Sequence, residues 1–116
     1  IKDNDVLAGI AINPDTEIES IEKYLRDIDY ILIMSVNPGF GGQGFIESSL
    51  DKIKFLSKYA EDLNFTIGVD GGVNLKTIDS VYDAGANITI VGSALYKADD
   101  IPMRYNELMN IWLDYI

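Results

Sequence analysis

Apolar positions along the chain follow two alternating rhythms. Residues 6–12, 30–36, 65–70 and 87–92 are short runs dense in Ile and Val. Long segments separate them, so they read as successive strands of β-α units rather than as hairpins. In the first intervening segment Ile18, Ile21, Leu25 and Ile28 stand at helical spacing behind Pro14 and Asp15, which predicts a helix. The second segment places Leu50, Ile53, Leu56, Ala60 and Leu63 on one stripe behind the candidate caps Ser48 and Ser49. The third runs from an Asn74 cap through Thr77, Ile78, Val81 and Tyr82 to a Gly85 stop. The fourth starts near Asp100 and Pro102 and carries Tyr105, Leu108, Met109, Trp112 and Ile116.

Strand then helix, four times over, predicts an α/β fold: a parallel sheet with right-handed crossovers and the helices outside it. The second and fourth runs are nearly continuous in apolar residues, so both are expected to be buried on both faces. No linker, low-complexity tract or charge block divides the chain, and residues 1–116 read as a single domain.

Composition narrows the chemistry. The chain has no histidine and no cysteine, which excludes a zinc finger, a Ser-His-Asp triad, a Cys nucleophile and a disulfide framework within it. A net charge of −10 argues against a nucleic-acid partner, because neutralising a phosphate backbone draws on clustered Lys and Arg. No apolar stretch approaches the length of a membrane helix and no signal pattern opens the chain, so no membrane partner and a cytoplasmic location are expected. The chain begins at Ile1 rather than Met, which leads to the expectation of residues upstream.

Nine of the ten glycines fall in residues 34–46, 66–75 and 84–96, and these segments contain one charged side chain, Asp70. In an acidic protein they are places an anion can approach without repulsion. Glycine lets backbone N–H groups turn into a concavity, and a following helix N-terminus adds partial positive charge. Gly39, Phe40, Gly41 and Gly42, then Gly71 and Gly72, then Gly92 and Ser93 are therefore candidate phosphate donors; the alternative for each is a tight turn. Asp70, ending the third strand, is either a turn residue or a catalytic carboxylate. Met34 is either a pocket residue or a filler of the core.

The segments Ser35-Val-Asn-Pro-Gly-Phe-Gly-Gly-Gln43, Val69-Asp-Gly-Gly-Val73 and Ala84-Gly-Ala-Asn-Ile-Thr-Ile-Val-Gly-Ser-Ala94 resemble the last three strand-end motifs of ribulose-phosphate 3-epimerases, and Gly9-Ile-Ala-Ile-Asn-Pro14 resembles the strand before them. The resemblance implies a (β/α)4 half of a TIM (β/α)8 barrel, strands 5 to 8 with their helices, since a whole barrel typically needs about 250 residues. It implies interconversion of D-ribulose 5-phosphate and D-xylulose 5-phosphate, in the pentose phosphate pathway, by two aspartates through an enediolate. Asp70 would be one of these aspartates and also a ligand of one divalent metal ion (Zn, Mn, Fe or Co). The remaining ligands, two histidines and the second aspartate, are expected in the missing half. The Gly39 to Gly42 loop, Gly71, Gly72, Gly92 and Ser93 would hold the substrate phosphate beside a short helix begun by residues 93–96. Met34 would line the pocket.

A half barrel has two open sheet edges and an exposed inner face, so a homo-oligomer is expected. Two other readings stay open. One is a non-catalytic phosphate-binding half barrel that self-associates. The other is a fragment of another phosphate-binding barrel, such as the indole or histidine biosynthetic enzymes, which share the Gly-Gly and Gly-Ser loops but lack the Asn-Pro-Gly-Phe-Gly-Gly segment.

Overall fold

A computed structural model describes residues 2–36 and 44–116. Four strands, β1 (Gly9–Ile12), β2 (Tyr30–Met34), β3 (Thr66–Asp70) and β4 (Ile88–Ile90), form one sheet in the order β1-β2-β3-β4, every pair parallel. The helices are α1 (Ser49–Leu63), α2 (Ile78–Ala84), α3 (Ser93–Tyr96) and α4 (Ile101–Leu113). The strand order follows the chain order, as a succession of β-α units requires when each crossover turns the same way. The four-unit (β/α) half of a barrel expected from the sequence is the observed architecture.

The core lies on one face of the sheet. Ile31, Ile33, Ile67 and Val69 point toward the helices and meet Ile53 and Leu56 of α1 and Ile78 and Val81 of α2, all eight essentially inaccessible to water. Burying a side chain of this size contributes about 1.5–3 kcal/mol, so this double row is the main source of stability. Helix α4 adds Leu108 and packs on α2.

Strand alternation sends Ala11, Tyr30, Leu32, Met34, Thr66, Gly68, Asp70, Ile88 and Ile90 to the other face. No described helix covers it: Ile88 is 44% exposed and Ile90 42%. The expectation that the fourth run is buried on both faces is therefore corrected. Thr89 and Val91 lie on the helix side, Val91 packed against the core, while Ile88 and Ile90 lie on the open side, which no described helix covers. The second run is likewise buried on alternate residues, Ile31 and Ile33, with Tyr30, Leu32 and Met34 half-buried.

The first predicted helix is also corrected. Residues 18–25 form two 3-10 turns, Ile18–Ser20 and Glu22–Tyr24. Their backbone bonds run from residue i+3 to i, and Ser20 Oγ donates to the Glu17 carbonyl at 2.6 Å. A side-chain hydroxyl that takes a backbone carbonyl competes with the α-helical ladder, and β-branched Ile18 and Ile21 give little support to one. Ile18, Leu25 and Ile28 are nonetheless buried, so the apolar spacing identified the packed positions while misjudging the backbone between them.

Strand β1 begins at Gly9 rather than at residue 6, since pairing starts where its neighbour does. Asp29 N–H donates to the Ala8 carbonyl at 2.7 Å and Asp29 Oδ2 accepts the Ala8 N–H at 2.8 Å. Val6 and Leu7, short of that clamp, are exposed.

Candidate functional site

The C-terminal ends of β2, β3 and β4 lie side by side, and the register sets their side chains in rows. Met34 pairs with Asp70 and Asp70 with Ile90, so these three make the last row on the open face. Asp70 is the one carboxylate within the four strands; half-buried, it has Met34 on one side and Ile90 on the other. Met34 and Asp70, named separately from the sequence, are thus brought together.

One row below, Gly68 has no side chain, and the ring of Tyr30 occupies the vacancy: a Cβ at Gly68 would lie 1.9 Å from Tyr30 Oη. The phenol reaches diagonally from β2 to β3 and stops beneath Asp70. Burial, then the negative charge of Asp70, push the Tyr30 pKa above its ordinary value, which keeps the hydroxyl proton-bearing beside the carboxylate. Sequence reasoning missed Tyr30. Its inward parity opposite a glycine was a legible signal, but the diagonal reach depends on sheet twist.

Past Asp70 the chain turns through Gly71 and Gly72, with φ of +118° and +69°. A Cβ on Gly71 would stand 2.7 Å from Val36, and one on Gly72 would stand 2.5 Å from the Phe45 backbone. Both glycines are therefore demanded twice, by left-handed φ and by close approach of another segment. Ser35, fully buried, ties the ends of β2 and β3: its N–H donates to the Asp70 carbonyl at 2.8 Å, and its Oγ donates to the carbonyls of Asp70, at 3.0 Å, and Gly71.

At the end of β4, Gly92 leads into α3, and Gly92 and Ser93 are both exposed. The expected short helix at residues 93–96 is present as α3. Its first N–H groups have no acceptor within the helix. A polar hollow of about 300 Å³ beside it is lined by Ser93, Lys97, Asp99 and Arg104. Arg104 Nη1 donates to the Ala94 carbonyl at 3.0 Å and Nε stands 3.5 Å from Glu107. These two cations lie just past the neutral segment and were not assigned from sequence. The predicted residues Gly39, Phe40, Gly41 and Gly42 lie outside the described residues.

A larger cavity, about 380 Å³, opens between β4, α2 and α4 against Tyr82, Leu108, Met109 and Trp112. It is apolar, and its one strand hydroxyl, Thr89, is already bonded to Tyr82 at 2.8 Å. Among the described residues no three His, Cys, Asp or Glu side chains stand together as a metal site. Asp70 alone falls short of the three or more protein ligands such a site usually takes. None of the helices in the described residues is long and apolar enough to cross a membrane.

The model of the ribulose-phosphate 3 epimerase family matches residues 1–96. Proteins named ribulose-phosphate 3-epimerase from Bacillus subtilis and Escherichia coli K12 are 44% and 38% identical over 111 and 110 residues. Each alignment covers 93% of this chain, with 51% of the former relative and 49% of the latter. A chloroplastic ribulose-5-phosphate-3-epimerase of Arabidopsis thaliana is 47% identical over 102 residues, 86% of this chain and 36% of that protein. The chain spans about half the length of the bacterial relatives it matches.

Proposed function

The chain belongs to the ribulose-phosphate 3-epimerase family, and from that premise we propose that it supplies one acid/base carboxylate and the phosphate cradle for epimerising a pentulose 5-phosphate at C3. One observation carries the reading: the register row that sets Asp70, the one carboxylate of the four strands, beside the Gly71–Gly72 turn and one strand from Gly92 and Ser93. Parallel α/β barrels bind phosphate at this end, among the loops after the last two strands.

Epimerisation at C3 inverts that carbon. A proton leaves one face of the sugar, an enediolate forms, and a proton returns to the opposite face. A single carboxylate reaches one face. Asp70 gives or takes the proton on its side, and a second acid/base group outside these four strands serves the other. Gly71, Gly72, Gly92 and Ser93 hold the phosphate by N–H and hydroxyl donors, each charge-assisted bond contributing about 1.5–3 kcal/mol, and Met34 packs against the sugar carbons. Gly39 to Gly42 are assigned to the same cradle on sequence alone.

A divalent ion at Asp70 would take its other ligands from outside the described residues. Among the described residues Asp70 would be its one ligand at the strand ends.

The test is complementation. Co-expression of this chain with the first half of the Bacillus subtilis relative is expected to restore conversion of D-ribulose 5-phosphate, with deuterium from solvent appearing at C3. The chain alone is expected to be inactive. Asp70→Asn in the complemented pair should lower turnover by about 100-fold or more without disturbing assembly; full activity in that variant would reduce Asp70 to a turn residue. A second reading, a self-associating half barrel that binds phosphate without turnover, is favoured by the exposed Ile88 and Ile90 and the open edges at β1 and β4. Homodimers that bind phosphate, combined with failure of every complementation, would select it.

A further inference from the structure

We infer that Ser35 is a positioning residue: its buried hydroxyl aims the N–H groups of Gly71 and Gly72 into the site by holding the carbonyls at the opposite ends of the same two peptide units. The inference rests on the reading of that turn as part of the phosphate cradle.

The argument starts from peptide planarity. The Asp70 carbonyl and the Gly71 N–H belong to one rigid unit, and the Gly71 carbonyl and Gly72 N–H to the next. In each unit the two groups point in opposite directions. The single Ser35 Oγ proton is shared between the two carbonyls, and the Ser35 N–H also donates to that of Asp70. With the carbonyls drawn toward β2, the paired N–H groups are turned away from it.

Thr77 Oγ1 holds the next carbonyl of the turn, that of Gly72, at 3.0 Å, so it does not set the Gly71–Gly72 peptide. The Gly71–Gly72 peptide is flanked by two glycines at positive φ, and glycine lets a peptide plane rotate with little steric cost. Among the described residues the Gly71 carbonyl has no other donor, and no turn or loop carbonyl takes the N–H of Gly71 or Gly72. Val36 and Phe45 crowd the two Cα positions, which fixes where the turn lies but not which way its peptides face. The Ser35 carbonyl in turn accepts the Ile46 N–H at 2.8 Å, so the residue that aims the turn is itself anchored between two segments.

The experiment follows the Gly71 and Gly72 amide resonances of the ¹⁵N-labelled chain, alone and titrated with inorganic phosphate, in wild type and in Ser35→Ala, Ser35→Cys and Ser35→Thr. In phosphate-free samples Ser35→Ala is expected to shift both resonances and speed their hydrogen exchange by about tenfold relative to the amides of β3, while Ser35→Thr, which keeps the hydroxyl, restores them. Phosphate is expected to move both resonances in wild type, with binding weakened about tenfold in Ser35→Ala and recovered in Ser35→Thr. Unchanged glycine resonances and exchange in Ser35→Ala overturn the inference, whatever phosphate does. Wild-type amides that ignore phosphate defeat the cradle, and the phosphate-free arm then decides the Ser35 role by itself. Should Ser35→Ala not fold, Ser35→Cys, close in volume but a weaker donor, must differ from Ser35→Thr at these two amides; identical spectra there overturn the proposal equally.

Discussion

At the scale of single residues, the candidate site is organised by what is absent. Gly68 leaves the space that Tyr30 fills, so the two positions are coupled. Gly68→Ala is expected to cost about 1–3 kcal/mol by overpacking, and the cost should largely vanish in a Tyr30→Leu background. A double-mutant cycle by urea denaturation measures the coupling, and additive effects would show that the ring does not occupy that space. Burial, then the charge of Asp70, raise the Tyr30 pKa; burial raises that of Tyr82, against a lowering by its bond to Thr89. Above pH 10 the unfolded chain loses these phenolic protons before the folded chain does, so the unfolded state binds fewer protons and stability falls with pH. Below the unfolded value of 10.0 the contribution is fully present. Urea midpoints measured at neutral pH and above pH 10 should therefore decline, and decline less in Tyr30→Phe. The motif residues around Asp70 were legible in the sequence as types and spacing. The Tyr30 contact was not, because it joins residues on different strands through the twist of the sheet.

At the scale of elements, side chains start the strands and helices more than propensity does. Asn87, just ahead of β4, repeats on β3 what Asp29, just ahead of β2, does at β1: its N–H donates to the Ile67 carbonyl at 2.8 Å and its Oδ1 accepts the Ile67 N–H at 2.9 Å. Asn87→Ala leaves that N–H without its partner, for an expected loss of about 1–3 kcal/mol readable as a lowered melting temperature. Helix α4 is capped by Asp100, which accepts the Met103 N–H at 3.0 Å, whereas Ser48 at the start of α1 makes no side-chain cap bond. Asp100→Ala is accordingly expected to cost about 1 kcal/mol and Ser48→Ala less; equal losses would contradict the difference in capping. The Asn74 cap expected from sequence is present one turn ahead of α2, its carbonyl accepting the Ile78 N–H at 2.9 Å. Asn74 Oδ1 accepts from Lys76 and Thr77 N–H, and α2 begins at Ile78. Gly85 stops α2 as expected, at φ of +119°. Local chemistry thus revealed where elements end, yet the segment from Ile18 to Tyr24 was misread, since an apolar stripe fits i+3 and i+4 bonding alike.

At the scale of the whole molecule, a four-stranded parallel sheet covered on one face is an unbalanced structure. The helical face buries the core, while the face carrying Asp70 presents Ile88 and Ile90 to solvent. Ile88→Thr with Ile90→Thr is expected to change stability by no more than about 1 kcal/mol while lowering any association seen by sedimentation. A large stability loss would mean that the face is already covered in solution. The sequence by itself determined the order and number of β-α units, the helix-facing core and the residue types of the cradle, because these follow from periodicity and from glycine and proline chemistry along the chain. Only the tertiary structure decided which side chains share a row, that Tyr30 lies beneath Asp70, that Ser35 holds the Gly71 carbonyl, and that one sheet face stays open. Each depends on register, twist and curvature, which arise between segments distant in sequence and leave no local pattern to read.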